Sequence, residues 1–118
     1  MRTPHWLTAL ALLAPTLAHA DVTAPGPFTV GETTITWTRT SSTTGQPRPL
    51  ATVIWYPAKP GTGTAGGGVF RDAAVLRRLW PIVLFSHGSC GFPGQSVFFT
   101  VTLASRGFVV VAPPHPGN

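Results

Sequence analysis

The sequence predicts an α/β fold, in which an antiparallel strand pair is followed by a parallel strand–helix–strand unit. Two apolar runs at residues 81–85 and 107–112 lack the alternation that is typical of strands with one solvated face. We therefore expect both strands to be covered on both faces, as in a parallel sheet. The long segment between them gives room for the crossover helix that parallel strands require.

The antiparallel pair is predicted from residues that precede this unit. Residues 28–30 and 33–39 are rich in β-branched and aromatic side chains, and Ile35 and Trp37 alternate with threonines, which is typical of a half-buried strand. Turn-forming residues follow, and an apolar run at 50–56 ends at Pro57, so the two runs are expected to pair antiparallel. We expect the Gly/Thr-rich residues 59–68 to form a mobile surface connection without regular structure.

The segment 94–106 fits two different periods. One apolar set fits a helix face and another fits a strand; they are Val97, Phe98, Val101 and Ala104 for the helix, and Val97, Phe99, Val101 and Leu103 for the strand. A basic residue followed by Gly107 is typical of a helix end, and the crossover between parallel strands also requires a helix. The sequence therefore predicts a helix here.

The first twenty residues have the pattern of a secretory signal peptide. Arg2 precedes an apolar stretch at 6–17, and the segment closes on Ala18-His19-Ala20. The stretch is too short to span a bilayer, so we expect cleavage after Ala20, a secreted or periplasmic protein and no stable membrane anchor. The alternative hypothesis is that this segment is an uncleaved anchor. The predicted organisation is thus a signal peptide at 1–20 and a partial α/β domain at 21–118.

Composition excludes several classes of function. The chain of 118 residues has a formal charge of +5, but its arginines are scattered and form no basic stripe, so no nucleic-acid partner is predicted. The acidic residues are Asp21, Glu32 and Asp72 alone, and the single cysteine excludes an intramolecular disulfide. The glycines at 88, 91 and 94 do not form a dinucleotide-binding motif, and no set of histidines and cysteines has zinc spacing. No metal or cofactor is predicted.

The loop that follows the first apolar run is the candidate site. It reads His87-Gly88-Ser89-Cys90-Gly91, and a bend here would turn a main-chain N–H outward from the carboxyl end of the sheet. Such an N–H can stabilise the oxyanion formed in acyl transfer. We expect Ser89 N–H to be this donor, with Cys90 N–H as the next candidate, while His87, Gly88 and Gly91 shape the loop. A base or a metal ligand are the alternatives for His87, and a hydrogen-bond donor that fixes the loop is predicted. The alternative is that the glycines merely turn the chain.

No nucleophile is predicted within the chain. Ser89, Ser96 and Ser105 all lack the GxSxG setting of a nucleophile elbow, and Cys90 has no evident base nearby. His115 follows the second apolar run and is expected at the same sheet edge, where it would fix a proline-rich turn.

These residues resemble a known family. The segments Trp55-Tyr56-Pro57, 84–88 (Leu-Phe-Ser-His-Gly), 103–113 and 115–118 (His-Pro-Gly-Asn) look like the amino-terminal half of secreted bacterial α/β-hydrolases similar to platelet-activating factor acetylhydrolase and dienelactone hydrolase. The resemblance implies a carboxylic-ester hydrolase with a Ser-Asp-His triad, a small ester or lipid-like substrate, a role in lipid degradation and an oxyanion donor at Ser89. Cys90 departs from the family pattern, in which glycine is common, and Pro114 stands where aspartate is common.

The resemblance also implies that the triad lies carboxyl-terminal to Asn118. An α/β sheet enzyme usually needs roughly 200 residues or more. We therefore expect the amino-terminal part of an α/β-hydrolase sheet, which is inactive by itself and prone to aggregate because its last strand, at 108–112, is partly uncovered. The alternative is a small exported non-catalytic binding module. Neither the substrate nor the oligomeric state is predicted.

Overall fold

The computed structural model describes residue 21 and residues 23–116, so the predicted signal peptide and the last two residues lie outside the described part. Within it, one mixed sheet contains six strands in the order β3-β4-β1-β2-β6-β5. The elements are β1 (Val30–Thr40), β2 (Pro47–Pro57), β3 (Thr64–Gly66), β4 (Val69–Arg71), β5 (Ile82–Leu84), α1 (Val97–Ser105) and β6 (Val109–Ala112). Across these residues no helix is long and apolar enough to cross a membrane.

The predicted antiparallel pair is confirmed. β1 and β2 run antiparallel over their whole length, with Val30 opposite Pro57 and Thr40 opposite Pro47. The turn between them is closed by a hydrogen bond from Ser41 N to Gln46 O at 2.9 Å. Two eleven-residue strands therefore form the long arm of the sheet.

The predicted parallel unit is also confirmed. β5 and β6 are parallel, with Ile82 opposite Val109, and β6 pairs antiparallel with β2 on its other side. The ambiguous segment is a helix, α1, which ends where the sequence indicates. Gly107 has a φ of 96° and donates to Ala104 O, while Phe108 N donates to Leu103 O. These two bonds form a Schellman motif, which stops the helix and sends the chain into β6.

The core lies between α1 and one face of the sheet. Trp55, Val110 and Ala104 are buried together there, so the helix covers the centre of β2 and β6. A smaller cluster of Tyr56, Ala58 and Ala73 lies apart from it, with Ile54 and Val109 packed against it. Because neighbours along a strand point to opposite faces, this second cluster marks the face away from α1.

The expectation that both parallel strands are covered on both faces is wrong for the described residues. Ile82 and Leu84 of β5 are 71% and 68% exposed, and β5 is the last strand of the sheet. Ile35 and Trp37, which the alternation in β1 placed inward, are exposed as well. The physical reason is that α1 covers one face only, and the second cluster reaches only part of the other.

The prediction of an unstructured connection at 59–68 is also wrong. β3 begins within it and pairs antiparallel with β4, with Gly66 opposite Val69. Gly67 and Gly68 have φ values of 62° and 82°. A two-residue loop with two positive φ values matches the twist of a hairpin, so the Gly-Gly pair is a turn signal rather than a sign of disorder.

Candidate active site

The candidate site lies where β5 and β6 end. These strands are parallel, so their carboxyl ends meet at one edge of the sheet, and the loops that follow them lie side by side. The first loop carries Ser86 and His87, and the second carries His115. The rings of His87 and His115 are 4.4 Å apart between centroids. The topology thus brings together two histidines that are far apart in the sequence.

His87 is buried and joins the two loops. Its Nδ1 lies 2.9 Å from Gly88 O, and its Nε2 lies 3.2 Å from the main-chain N of His115. Since a main-chain N–H can only donate, Nε2 accepts and Nδ1 carries the proton that is donated to Gly88 O. The two partners together therefore require the neutral Nδ1–H tautomer. His87 therefore makes one hydrogen bond within its own loop and one to the loop that follows β6.

Residues 88–91 form a tight turn. Gly91 N donates to Gly88 O at 3.0 Å, and Cys90, the third residue of the turn, has a φ of 56°. A positive φ at that place is the pattern of a type II turn, in which glycine is the preferred third residue. The turn is held from one side by His87, which donates to the same Gly88 carbonyl. Its conformation is therefore fixed by two hydrogen bonds to one acceptor.

The main-chain N–H groups of Ser89 and Cys90 are available at this turn. Both residues are exposed, and neither N–H donates to any group within the described residues. Their side chains contact only each other, with 4.0 Å between Ser89 Oγ and Cys90 Sγ. Two consecutive free donors in a fixed turn are an arrangement that can receive an oxyanion.

Ser86 also belongs to the site, although the sequence did not predict a role for it. Its Oγ lies 2.9 Å from His115 Nε2, so the two loops are joined by a second hydrogen bond. Ser86 lies in the loop after β5, and with Leu84 two residues before it the GxSxG pattern of a nucleophile elbow is absent. No carboxylate in the described chain contacts His115 to orient it. The signal that could have identified this pair is the parallel topology, which places the two loop starts together.

Two further serines, Ser105 and Ser96, lie at the two ends of α1. Ser105 is buried in the last turn of α1, where its Oγ donates to Thr102 O at 2.8 Å and accepts from Gly26 N at 2.7 Å. Ser96 stands at the start of α1, and its side chain makes no capping hydrogen bond. Across residues 21 and 23–116, no three His, Cys, Asp or Glu side chains cluster as metal ligands.

The fold and this edge define the class of protein. A mixed sheet, a crossover helix on one face and a fixed loop at the carboxyl end of a parallel strand are features of an α/β-hydrolase fold. Residues 69–118 match the family model described as platelet-activating factor acetylhydrolase, isoform II. The expected similarity to platelet-activating factor acetylhydrolase is confirmed over that segment, which contains the whole candidate loop.

The fold is also found in a solved structure. The chain is similar to a ferulic acid esterase from Streptomyces cinnamoneus, with a TM-score of 0.58 and 22% sequence identity over 80% of this chain. The match covers 36% of the esterase, so this chain spans about a third of the length of that relative. A comparison with curated proteins found no match.

Proposed function

We propose that this chain provides the oxyanion-stabilising edge of an exported carboxylic-ester hydrolase that acts on a small ester or lipid-like substrate. Ser89 N–H is the proposed donor, and Cys90 N–H is the next candidate. The observation that carries the proposal is that two exposed residues in the turn after β5 have N–H groups that donate to nothing within the described residues. His87, Gly88 and Gly91 hold this turn in place.

The proposed mechanism divides the reaction between two parts of a sheet. The substrate carbonyl accepts a hydrogen bond from Ser89 N–H while a serine attacks its carbon, and the N–H stabilises the negative charge on the oxygen in the transition state. We place the Ser-His-Asp triad on residues after Asn118. The length of the ferulic acid esterase of similar fold supports this placement, because this chain covers 36% of it. One such donor typically stabilises the transition state by about 3 kcal/mol.

The position of the nucleophile is tested on this chain alone. The purified protein is mixed with p-nitrophenyl acetate, and the release of p-nitrophenol is followed with and without a serine-directed inhibitor. We expect the rate to equal that of buffer, because no described serine has an activated setting. Turnover that the inhibitor abolishes would place the nucleophile within these residues and refute this part of the proposal.

The role of Ser89 is tested in a longer chain that contains the triad. Proline is favoured at the second residue of type I and type II turns, so Ser89→Pro fits the turn while it removes the N–H. We expect kcat to fall by a factor of about 100 to 1,000. Ser89→Ala, which keeps the N–H, is the matched control and should retain kcat. Equal rates for the two variants would exclude Ser89 N–H as the donor.

Export is tested separately from catalysis. The proposal predicts that the mature protein begins at Asp21. Expression of the complete coding sequence in a bacterium, followed by fractionation and amino-terminal sequencing, should find Asp21 first in the exported fraction. A cytoplasmic protein that retains Arg2 would contradict export and leave the oxyanion proposal intact.

A further inference from the structure

Arg39 and Arg48 form an uncompensated pair of like charges. They are directly opposite each other in the antiparallel pairing of β1 and β2, so their side chains leave the same face of the sheet. Like charges at such positions destabilise a sheet. No carboxylate in the described chain forms an ion pair with either residue, since the one salt bridge found there joins Arg71 to Glu32. The two guanidinium groups therefore lack an anionic partner within the described residues.

The two arginines line a defined cavity. It has a volume of about 360 Å³ and is bounded by both arginines, Leu50 and the segment 113–116. Arg48 is anchored there, because its guanidinium donates to Pro116 O at 2.6 Å. Arg39 donates to no group in the described part of the chain. One guanidinium is thus held in place and the other is free to close on a ligand.

The cavity adjoins the candidate oxyanion site. His115 lines it and also contacts Ser86 and His87, which lie directly before the turn that presents Ser89 N–H. The cavity and the turn both lie at the edge of the sheet where β6 ends and β2 begins, because these two strands are antiparallel. A ligand that spans the two would place one group at the arginines and another at the turn.

We propose that this cavity binds a carboxylate or phosphate group carried on the substrate, remote from the ester that is cleaved. Guanidinium groups pair with both anions through two parallel hydrogen bonds. Leu50 and the prolines provide an apolar wall for the carbon chain that carries the anion. The link to an ester substrate rests on the proposed function, whereas binding of the anion itself does not.

The experiment measures anion binding directly on the 118-residue chain. Its arginines are modified with phenylglyoxal in sodium phosphate, in sodium succinate and in sodium chloride of equal ionic strength, and the sites are mapped by peptide mass spectrometry. Phosphate or succinate should slow the modification of Arg39 and Arg48, relative to chloride. Arg77 and Arg78, which lie outside the cavity, are internal controls and should react equally in all three salts. The anion that protects at the lower concentration identifies the preferred group.

A variant series confirms the site. Arg39→Gln should weaken binding of the protecting anion about fivefold, as expected for one partly solvated ion pair, while Arg77→Gln should leave it unchanged. If Arg39 and Arg48 react at the same rate in all three salts, as the two controls should, the proposal is wrong. The result is independent of the proposed function, because protection of the arginines by an anion is measured on this chain without any turnover.

Discussion

Cys90 has a main-chain conformation that L-residues rarely adopt. Its φ of 56° falls in the left-handed region, which costs a residue with a Cβ roughly 1–2 kcal/mol. The conformation is required because Cys90 is the third residue of the turn closed by Gly91 N and Gly88 O. Glycine at this position, which the resembling family commonly has, is therefore explained by the turn.

Replacing Cys90 with glycine should stabilise the protein. The gain from relief of the left-handed strain exceeds the extra entropy that glycine loses on folding, and we expect the free energy of unfolding to rise by about 0.5–1 kcal/mol. Thermal or urea unfolding followed by circular dichroism measures it. Cys90→Ala keeps the strain and is the control, so a similar gain in both variants would refute this explanation.

Tyr56 joins two segments on the face of the sheet away from α1. Its hydroxyl donates to Ala73 O at 2.8 Å, and both residues are buried. Tyr56→Phe leaves that carbonyl without its donor and should lower the free energy of unfolding by about 1–3 kcal/mol. Urea unfolding measures the loss. A loss no larger than that of an exposed substitution such as Thr38→Val would show that the bond contributes nothing.

Tyr56 should also make the stability of the protein depend on pH. Burial, and then the negative charge of Asp72, raise the pKa of Tyr56 above its ordinary value of 10.0. The folded protein therefore holds the phenolic proton more tightly than the unfolded chain. Its contribution to stability is full below pH 10 and is lost as the pH rises from there through the raised pKa. We expect unfolding curves between pH 8 and about 12 to show this decline in the wild type and not in Tyr56→Phe.

The end of α1 depends on one glycine. Gly107 has a φ of 96°, and a Cβ added to it would lie 2.9 Å from Trp80 Cζ3. Both the conformation and the close approach exclude a side chain. Gly107→Ala should therefore destabilise the protein by about 1–3 kcal/mol, measured by thermal unfolding. Gly88→Ala is the control, because a Cβ there meets no atom within 4 Å; equal losses would indicate that the strain at Gly107 is not the cause.

The elements that could be predicted from the sequence are those with local signals. The glycine after Arg106 and the crossover rule together decided that 97–105 is a helix, although its residues fit either period. The hairpin of β3 and β4 was missed because three-residue strands contain too few side chains for alternation to be visible. In the site, too, only the local feature could be predicted: the glycines at 88 and 91 indicate the turn. The contact of Ser86 with His115 could not, because it forms only when two strands far apart in the sequence lie side by side.

At the scale of the whole molecule, the face of the sheet away from α1 is incompletely covered. Opposite residues in paired strands share a face, so Trp37 and Leu50 lie on the side of Arg39 and Arg48. Sequence alternation identified apolar positions correctly but could not say what covers them, because burial depends on elements distant in the chain. In this structure a single helix covers one face, and the apolar residues of the other remain exposed.

The open edge at β5 predicts self-association. The expectation that 108–112 is the uncovered strand is wrong, because β6 lies between β2 and β5. The last strand of the sheet is β5, and an exposed apolar edge strand readily pairs with another chain. We expect the 118-residue protein to associate as its concentration rises, and Leu84→Lys to reduce this, as measured by sedimentation velocity and light scattering. Leu79→Lys is the matched control, because Leu79 is fully exposed outside the sheet and the variant has the same net charge.

The two hypotheses about the chain, a partial hydrolase sheet and a self-sufficient binding module, predict different outcomes for these variants. The partial hydrolase sheet predicts an associating wild type, a more soluble Leu84→Lys and an unchanged Leu79→Lys, because only the edge substitution places a charge on the surface that pairs. A self-sufficient binding module predicts a wild type that stays monomeric and unfolds in one cooperative transition at the same concentrations. A monomeric wild type would therefore contradict the expectation of a partial sheet and favour a self-sufficient domain.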